Sequence, residues 1–396
     1  LIIIERAVFR RRTVEVFESF SPSGMICTSS IDNILKSIWN ENFMNRTRSL
    51  ILNIALVIAS FLFSLAIIEV GLRLRKGELT HFQNILFKSH NFQPDRLSVG
   101  YPEQFDSLLG WVPKSNIEAL DRTTGSPVKT LNHGIRSTGH FQTKSKKMIL
   151  TVGDSFTWGD QVANEETWPT YLQQILQTPV INAGVSGYGI DQAILRAESL
   201  IDSIKPTHLI LSFIANDIIR CGWSKSWGMA KPFFKVSEKG LQLANSPVSQ
   251  IPPKRPELGP MRNLLGRSYL AHAIMIRLAP NYWLAGLGYT FEMGEPRYEE
   301  VACRLMDRLK LLGQKTRTKI LVVAQYEENL TKEDIKLTKN LIDCANKQGI
   351  KTLDLLPLME EMRNKGKAEY SAFINWHHTA AGNKRVAERI ATYIEN

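Results

Sequence analysis

Five short apolar runs, beginning near Met148, Pro179, His208, Lys319 and Ile350, alternate with segments of helical periodicity. Each run is continuously apolar and not alternating, the pattern of strands buried on both faces in a parallel sheet. Helical segments between such strands predict an α/β domain over residues 146–396: three layers, α/β/α, around a five-stranded parallel sheet. Ligands of such sheets gather beyond the carboxyl ends of the strands, so the residues that follow each run are the first place to look for chemistry. A long insertion, residues 222–296, separates the third and fourth runs. It carries aromatic residues such as Trp223, Trp227, Phe234, Tyr282 and Trp283, and a helix is expected over Arg267–Leu278. It would serve as a lid or acceptor-binding surface, or pack on the core.

Gly153-Asp154-Ser155-Phe156 directly follows the run Met148–Val152. A strand ending in glycine and then serine presents a hydroxyl at the sheet edge. Residues Gln161–Leu176 read as a helix, which would put Ser155 near backbone N–H groups able to stabilise negative charge. The position suits a nucleophile and also a helix cap. Asn182-Ala183-Gly184-Val185-Ser186-Gly187 follows the second run, and Asn216-Asp217 ends the third. Near the C-terminus, Trp376-His377-His378-Thr379-Ala380-Ala381-Gly382 precedes a helical pattern through Ile394.

These four blocks, in this order, resemble the SGNH/GDSL superfamily of serine esterases and acyltransferases. The resemblance runs from about Asp106 to the C-terminus. Leu109-Gly110-Trp111, Asn132-His133-Gly134-Ile135-Arg136 and Glu166-Thr167-Trp168-Pro169 are similar to a membrane-anchored bacterial branch. The resemblance implies a flavodoxin-like fold and an acyl-enzyme mechanism. Ser155 would be the nucleophile, and Ser155 N–H, Gly187 N–H and the Asn216 amide would form the oxyanion hole. In relatives the histidine precedes a glycine by five residues, so Gly382 selects His377 over His378 as the base.

The third member departs from the pattern. Relatives carry an aspartate two or three residues before the histidine, where this chain has Asn375 and Ile374. Asparagine can bond the ring but brings no charge. Asn375, a Ser–His dyad, or a carboxylate recruited from elsewhere, such as Asp354, are the alternatives. Ile214 stands where many relatives have glycine, and would narrow the pocket or point into the core.

Leu50–Ile68 holds no charged residue, and as a helix is long enough to cross a bilayer. The expected organisation is a transmembrane anchor over 49–70, a membrane-proximal linker over 77–145 with a strand near Val128–Leu131, and the hydrolase domain from 146. Residues 1–43 read as upstream translation or disorder, with Met44 as the start. No small-residue cleavage site follows the anchor. The resemblance implies a single-pass protein with an extracytoplasmic domain, in the periplasm or at the cell surface. There Cys221, Cys303 and Cys344 would include one disulfide, with the pairing open. The net charge of +11 is scattered, without a nucleic-acid-binding motif. No metal-ligand spacing occurs, and no cofactor or metal is expected. The expected function is a membrane-anchored serine esterase acting on an acyl ester or acylated glycan. The alternatives are an O-acyltransferase for a cell-surface polysaccharide and a catalytically impaired binding protein of the same fold.

Overall fold

A computed structural model of the protein describes residues 28–75, 103–121, 124–141, 145–226, 229–249, 265, 268–279, 283 and 291–395. The chain divides into two units, Leu1–Ile85 and Leu86–Asn396. The described part of the first is a single helix, Thr28–Arg75. Within it Arg46–Leu74 has the length and composition of a membrane span, with a mean hydropathy of 2.7, and its apolar side chains are exposed. The helix starts inside the segment 1–43; Leu1–Cys27 lie outside the described residues, as does Lys76–Pro102.

The second unit is built on a five-stranded sheet: β1 (Ile149–Val152), β2 (Val180–Asn182), β3 (His208–Phe213), β4 (Lys319–Ala324) and β5 (Lys351–Asp354). All neighbours are parallel, in the order β2-β1-β3-β4-β5, as the apolar runs predict. Leu150, Val152, Leu209, Leu211, Val322 and Val323 have no exposed surface, which is why these strands lack polar alternation. Helices Ile190–Ile204, Tyr298–Thr316 and Lys332–Lys347 pack together as one layer, and Trp168–Leu176 packs with the last helix, Ala380–Glu395, in the other. A disulfide, Cys303–Cys344, joins Tyr298–Thr316 to Lys332–Lys347, and Cys221 is buried with a free thiol.

Two expectations change. Residues 103–129, within the expected linker, hold two hairpins, Glu103–Asp106 with Gly110–Pro113 and Glu118–Leu120 with Pro127–Lys129. One strand near Val128–Leu131 was expected there, and the last of these overlaps it. Strands of three or four residues are too short to show a period. The helix read from Gln161 to Leu176 is instead two pieces, a 3-10 turn Asn164–Glu166 and a helix Trp168–Leu176, preceded by a separate short helix, Ser155–Trp158. Gly159 and Gln161, with left-handed φ values of 90° and 72°, lie between that short helix and the 3-10 turn.

In the insertion, Trp223–Ser226, Met229–Ala230 and Glu292–Met293 form a small sheet beside a hairpin, Phe233–Ser237 with Gly240–Ala244. A helix covers Tyr269–Leu278, close to its expected span. Phe234 and Trp283 are fully buried, so these aromatics fill the interior. Trp227 and Tyr282 lie outside the described residues.

Candidate active site

Ser155, Gly187 and Asn216 all follow the carboxyl ends of strands, β1, β2 and β3 respectively. Asp154 is the cap of the short helix: its carboxylate accepts from the Phe156 N–H at 3.0 Å. Ser155 is therefore the first helical residue, and the capping role proposed for it falls to its neighbour. Its hydroxyl faces His377, whose Nε2 lies 2.9 Å from Ser155 Oγ, with Asp154 Oδ2 a longer contact at 3.4 Å. A Cβ on Gly153 would stand 2.4 Å from Ser212 O and Thr157 Oγ1, so only glycine lets this turn lie so close to β3.

The second block is stitched to the first. Asn182 Nδ2 donates to Trp158 O at 3.3 Å, and Val185 N to Gly153 O at 3.0 Å. Gly187 adopts φ 78°, a conformation that disfavours any side chain. Leu109-Gly110-Trp111 clamps this loop from outside. Trp111 Nε1 donates to Ser186 O at 3.1 Å, and Gln192 Nε2 to Leu109 O at 2.7 Å.

Asn216 sits in the first turn of helix Ala215–Arg220, with its Nδ2 donating to Glu327 Oε2 at 2.7 Å. Ile214, 1% exposed, belongs to the core and not to a pocket wall. Behind Ser155, Arg220 Nη1 bridges Asp217 Oδ1 at 2.6 Å and Asp154 Oδ2 at 3.6 Å. Burial pushes both carboxyls above the usual aspartate range; for Asp217 the nearby Asp154 adds to the rise, and Arg220 opposes it in each case.

His377 and His378 divide as their spacing to Gly382 suggests. His378 is 4% exposed, its ring packs against Phe156 and Phe373, and burial lowers its pKa to about 3. Only His377 reaches Ser155. Gly382 is required sterically, since a Cβ there would meet Phe373 O at 2.0 Å.

Asn375 is exposed and lies opposite His377 in a two-residue antiparallel pair. It is not the partner of the imidazole. Asp354 is committed elsewhere, accepting from Tyr326 OH at 2.7 Å and Leu356 N at 2.9 Å. The residue at His377 Nδ1 is Gln161, at the expected helix start. Gln161 Oε1 lies 2.9 Å from Nδ1 and accepts the His377 backbone N–H at 3.2 Å. Arg136, 1% exposed, holds the same loop: it donates to Trp158 O, Gly159 O and Val162 O at 2.9, 2.6 and 2.6 Å. Burial lowers its pKa to about 10, against the pull of Asp160 and Asp121, so it stays charged at neutral pH. Among the described residues no His/Cys/Asp/Glu group could hold a metal ion.

The model of the GDSL-like lipase/acylhydrolase family matches residues 151–385, more than half of the chain. The chain belongs to that family. It is an ester-bond hydrolase of the α/β type, and the four blocks of this GDSL-like hydrolase fall within or beside the matched span. A search of curated proteins found no match. Among solved structures it is similar to the acetylxylan esterase Axe2 from Geobacillus stearothermophilus, at 14% identity over 64% of this chain and 95% of that one, TM-score 0.38. It is also similar to the psychrotrophic esterase EstA from Pseudoalteromonas sp., at 14% identity over 63% and 100%, TM-score 0.34.

Proposed function

We propose that this GDSL-like hydrolase is a membrane-anchored serine esterase with Ser155 as nucleophile and His377 as general base. The 2.9 Å contact between Ser155 Oγ and His377 Nε2 carries the reading. His377 takes the hydroxyl proton as Oγ bonds to the acyl carbonyl carbon, and negative charge moves to the carbonyl oxygen. The Ser155 and Gly187 N–H groups and Asn216 Nδ2 stabilise that oxyanion. Collapse breaks the ester C–O bond, and the leaving alkoxide takes the proton from His377. Water then attacks the acyl-enzyme by the same route and restores the hydroxyl.

Two observations support an external, anchored domain. Arg46–Leu74 is long and apolar enough to span a bilayer, and the Cys303–Cys344 disulfide suits an oxidising compartment. A second reading, transfer of the acyl group to a sugar hydroxyl, draws on Trp376. Trp376 is 76% exposed beside His377, its backbone at a left-handed φ of 67° with the backbone N–H donating to Glu328 Oε2 at 3.1 Å. An indole held outward in this way suits stacking on a sugar ring.

Full-length protein in detergent should hydrolyse 4-nitrophenyl acetate, and Ser155→Ala should lose that activity. Equal rates in the two proteins would refute the assignment. Appearance of label on an oligosaccharide acceptor would favour transfer over hydrolysis.

A further inference from the structure

We infer that Gln161 is the positioning residue of the base, holding His377 in its reactive tautomer in place of an acidic third member. The inference rests on the Ser155–His377 reading above. The His377 backbone N–H can only donate, so the Gln161 atom that receives it at 3.2 Å must be the carbonyl oxygen. That same oxygen is 2.9 Å from Nδ1. An oxygen acceptor there requires the proton on Nδ1, which leaves Nε2 unprotonated and able to take the hydroxyl proton of Ser155 at 2.9 Å. One side-chain atom thus fixes the ring by two bonds to the same residue.

The backbone around Gln161 is shaped to deliver that atom. Gln161 stands at φ 72°, a left-handed conformation that residues with a Cβ rarely adopt. Its own N–H donates to Asp121 Oδ2 at 3.3 Å. Arg136 takes the carbonyls on both sides of it, Gly159 and Val162, and also bonds Asn164 Oδ1 at 3.0 Å. The Asn132–Arg136 motif, which no step of the chemistry uses directly, gains a role here: it rigidifies the loop that orients the base.

An amide and a carboxylate at this position differ in what they do to charge. Both set the tautomer, but only the carboxylate stabilises the imidazolium by a full charge. The charged or titratable groups around His377 are Asp154, with Arg220 and Glu327 acting on it, and His378, with Glu328 on the adjacent Trp376 N–H. These remain unchanged in Gln161 variants, so a shift in the pH profile reports on position 161 alone.

The test uses full-length protein in detergent with 4-nitrophenyl acetate, and NMR of 15N-histidine-labelled protein. Gln161→Ala should lower kcat on the order of 100-fold with KM little changed, the low end of what a general base contributes. Gln161→Glu should keep turnover and move the acid limb of kcat/KM to higher pH. The parent should show His377 protonated on Nδ1, a signature that needs no turnover and no folded variant. Protonation on Nε2 in the parent would overturn the inference. So would full kcat in Gln161→Ala alongside an inactive Ser155→Ala, while leaving the nucleophile in place. If Ser155→Ala matched the parent, the nucleophile assignment would fail, and the tautomer would still decide the role of Gln161.

Discussion

Lys231 Nζ and Asp191 Oδ2 lie 2.5 Å apart with no exposed surface on either side chain. The ammonium also donates to Arg220 O at 3.1 Å and Trp223 O at 3.2 Å, so its three protons all have acceptors. Asp191 opens helix Ile190–Ile204, just after the Gly187 loop, and Lys231 comes from the insertion. This pair ties the insertion to the back of the active centre. Burial pushes the Asp191 carboxyl up, and Lys231 holds it back.

Asp191→Ala should destabilise the protein by about 3–5 kcal/mol, because it strands a buried ammonium. Asp191→Leu with Lys231→Met should recover much of that loss. Denaturant midpoints of the three proteins check both statements, and a single mutant as stable as the parent would contradict the first.

Asn375→Asp should change kcat by less than about threefold, since the exposed side chain at 375 is not the one at Nδ1. A tenfold rise would mean that the introduced carboxylate captures the ring from Gln161. Steady-state rates at neutral pH distinguish the outcomes.

His378 makes the fold acid-sensitive. Its folded pKa is about 3 against an ordinary 6.5, with burial as the main cause and His377 adding to it. The unfolded chain therefore binds a proton that the native state refuses. Stability from this residue is complete above pH 6.5 and falls as pH drops toward 3, by up to about 1.4 kcal/mol per pH unit. His378→Leu should flatten that slope between pH 6 and 4, measured as unfolding free energy in urea. An unchanged slope would show that other groups set it.

Reduction of Cys303–Cys344 should lower the melting temperature. The bridge closes a loop of 41 residues, for which chain entropy predicts about 4 kcal/mol. Scans with and without dithiothreitol, beside Cys303→Ser, check it, and the variant should not respond to reductant.

The sheet was legible because strands buried on both faces leave unbroken apolar runs, and all five appear where those runs begin. The meeting of Ser155 with His377 was legible because one sits at a fixed offset from a strand end and the other from Gly382. Gln161 was not. Its meeting with His377 joins positions 216 residues apart, and depends on two left-handed residues that a helical pattern conceals. Arg136 could have pointed to it: a buried arginine must find several acceptors, and a loop between short helices is where unpaired carbonyls occur.

In the usual arrangement the acid and the histidine ride on one segment, and the serine on another. In this chain Gln161 rides six positions after Ser155, and His377 comes alone to meet both. Lifting the histidine strand would break the Oγ, Nδ1 and backbone N–H contacts in one movement. On the proposed reading, orientation of the base and its contact with the serine are then lost together.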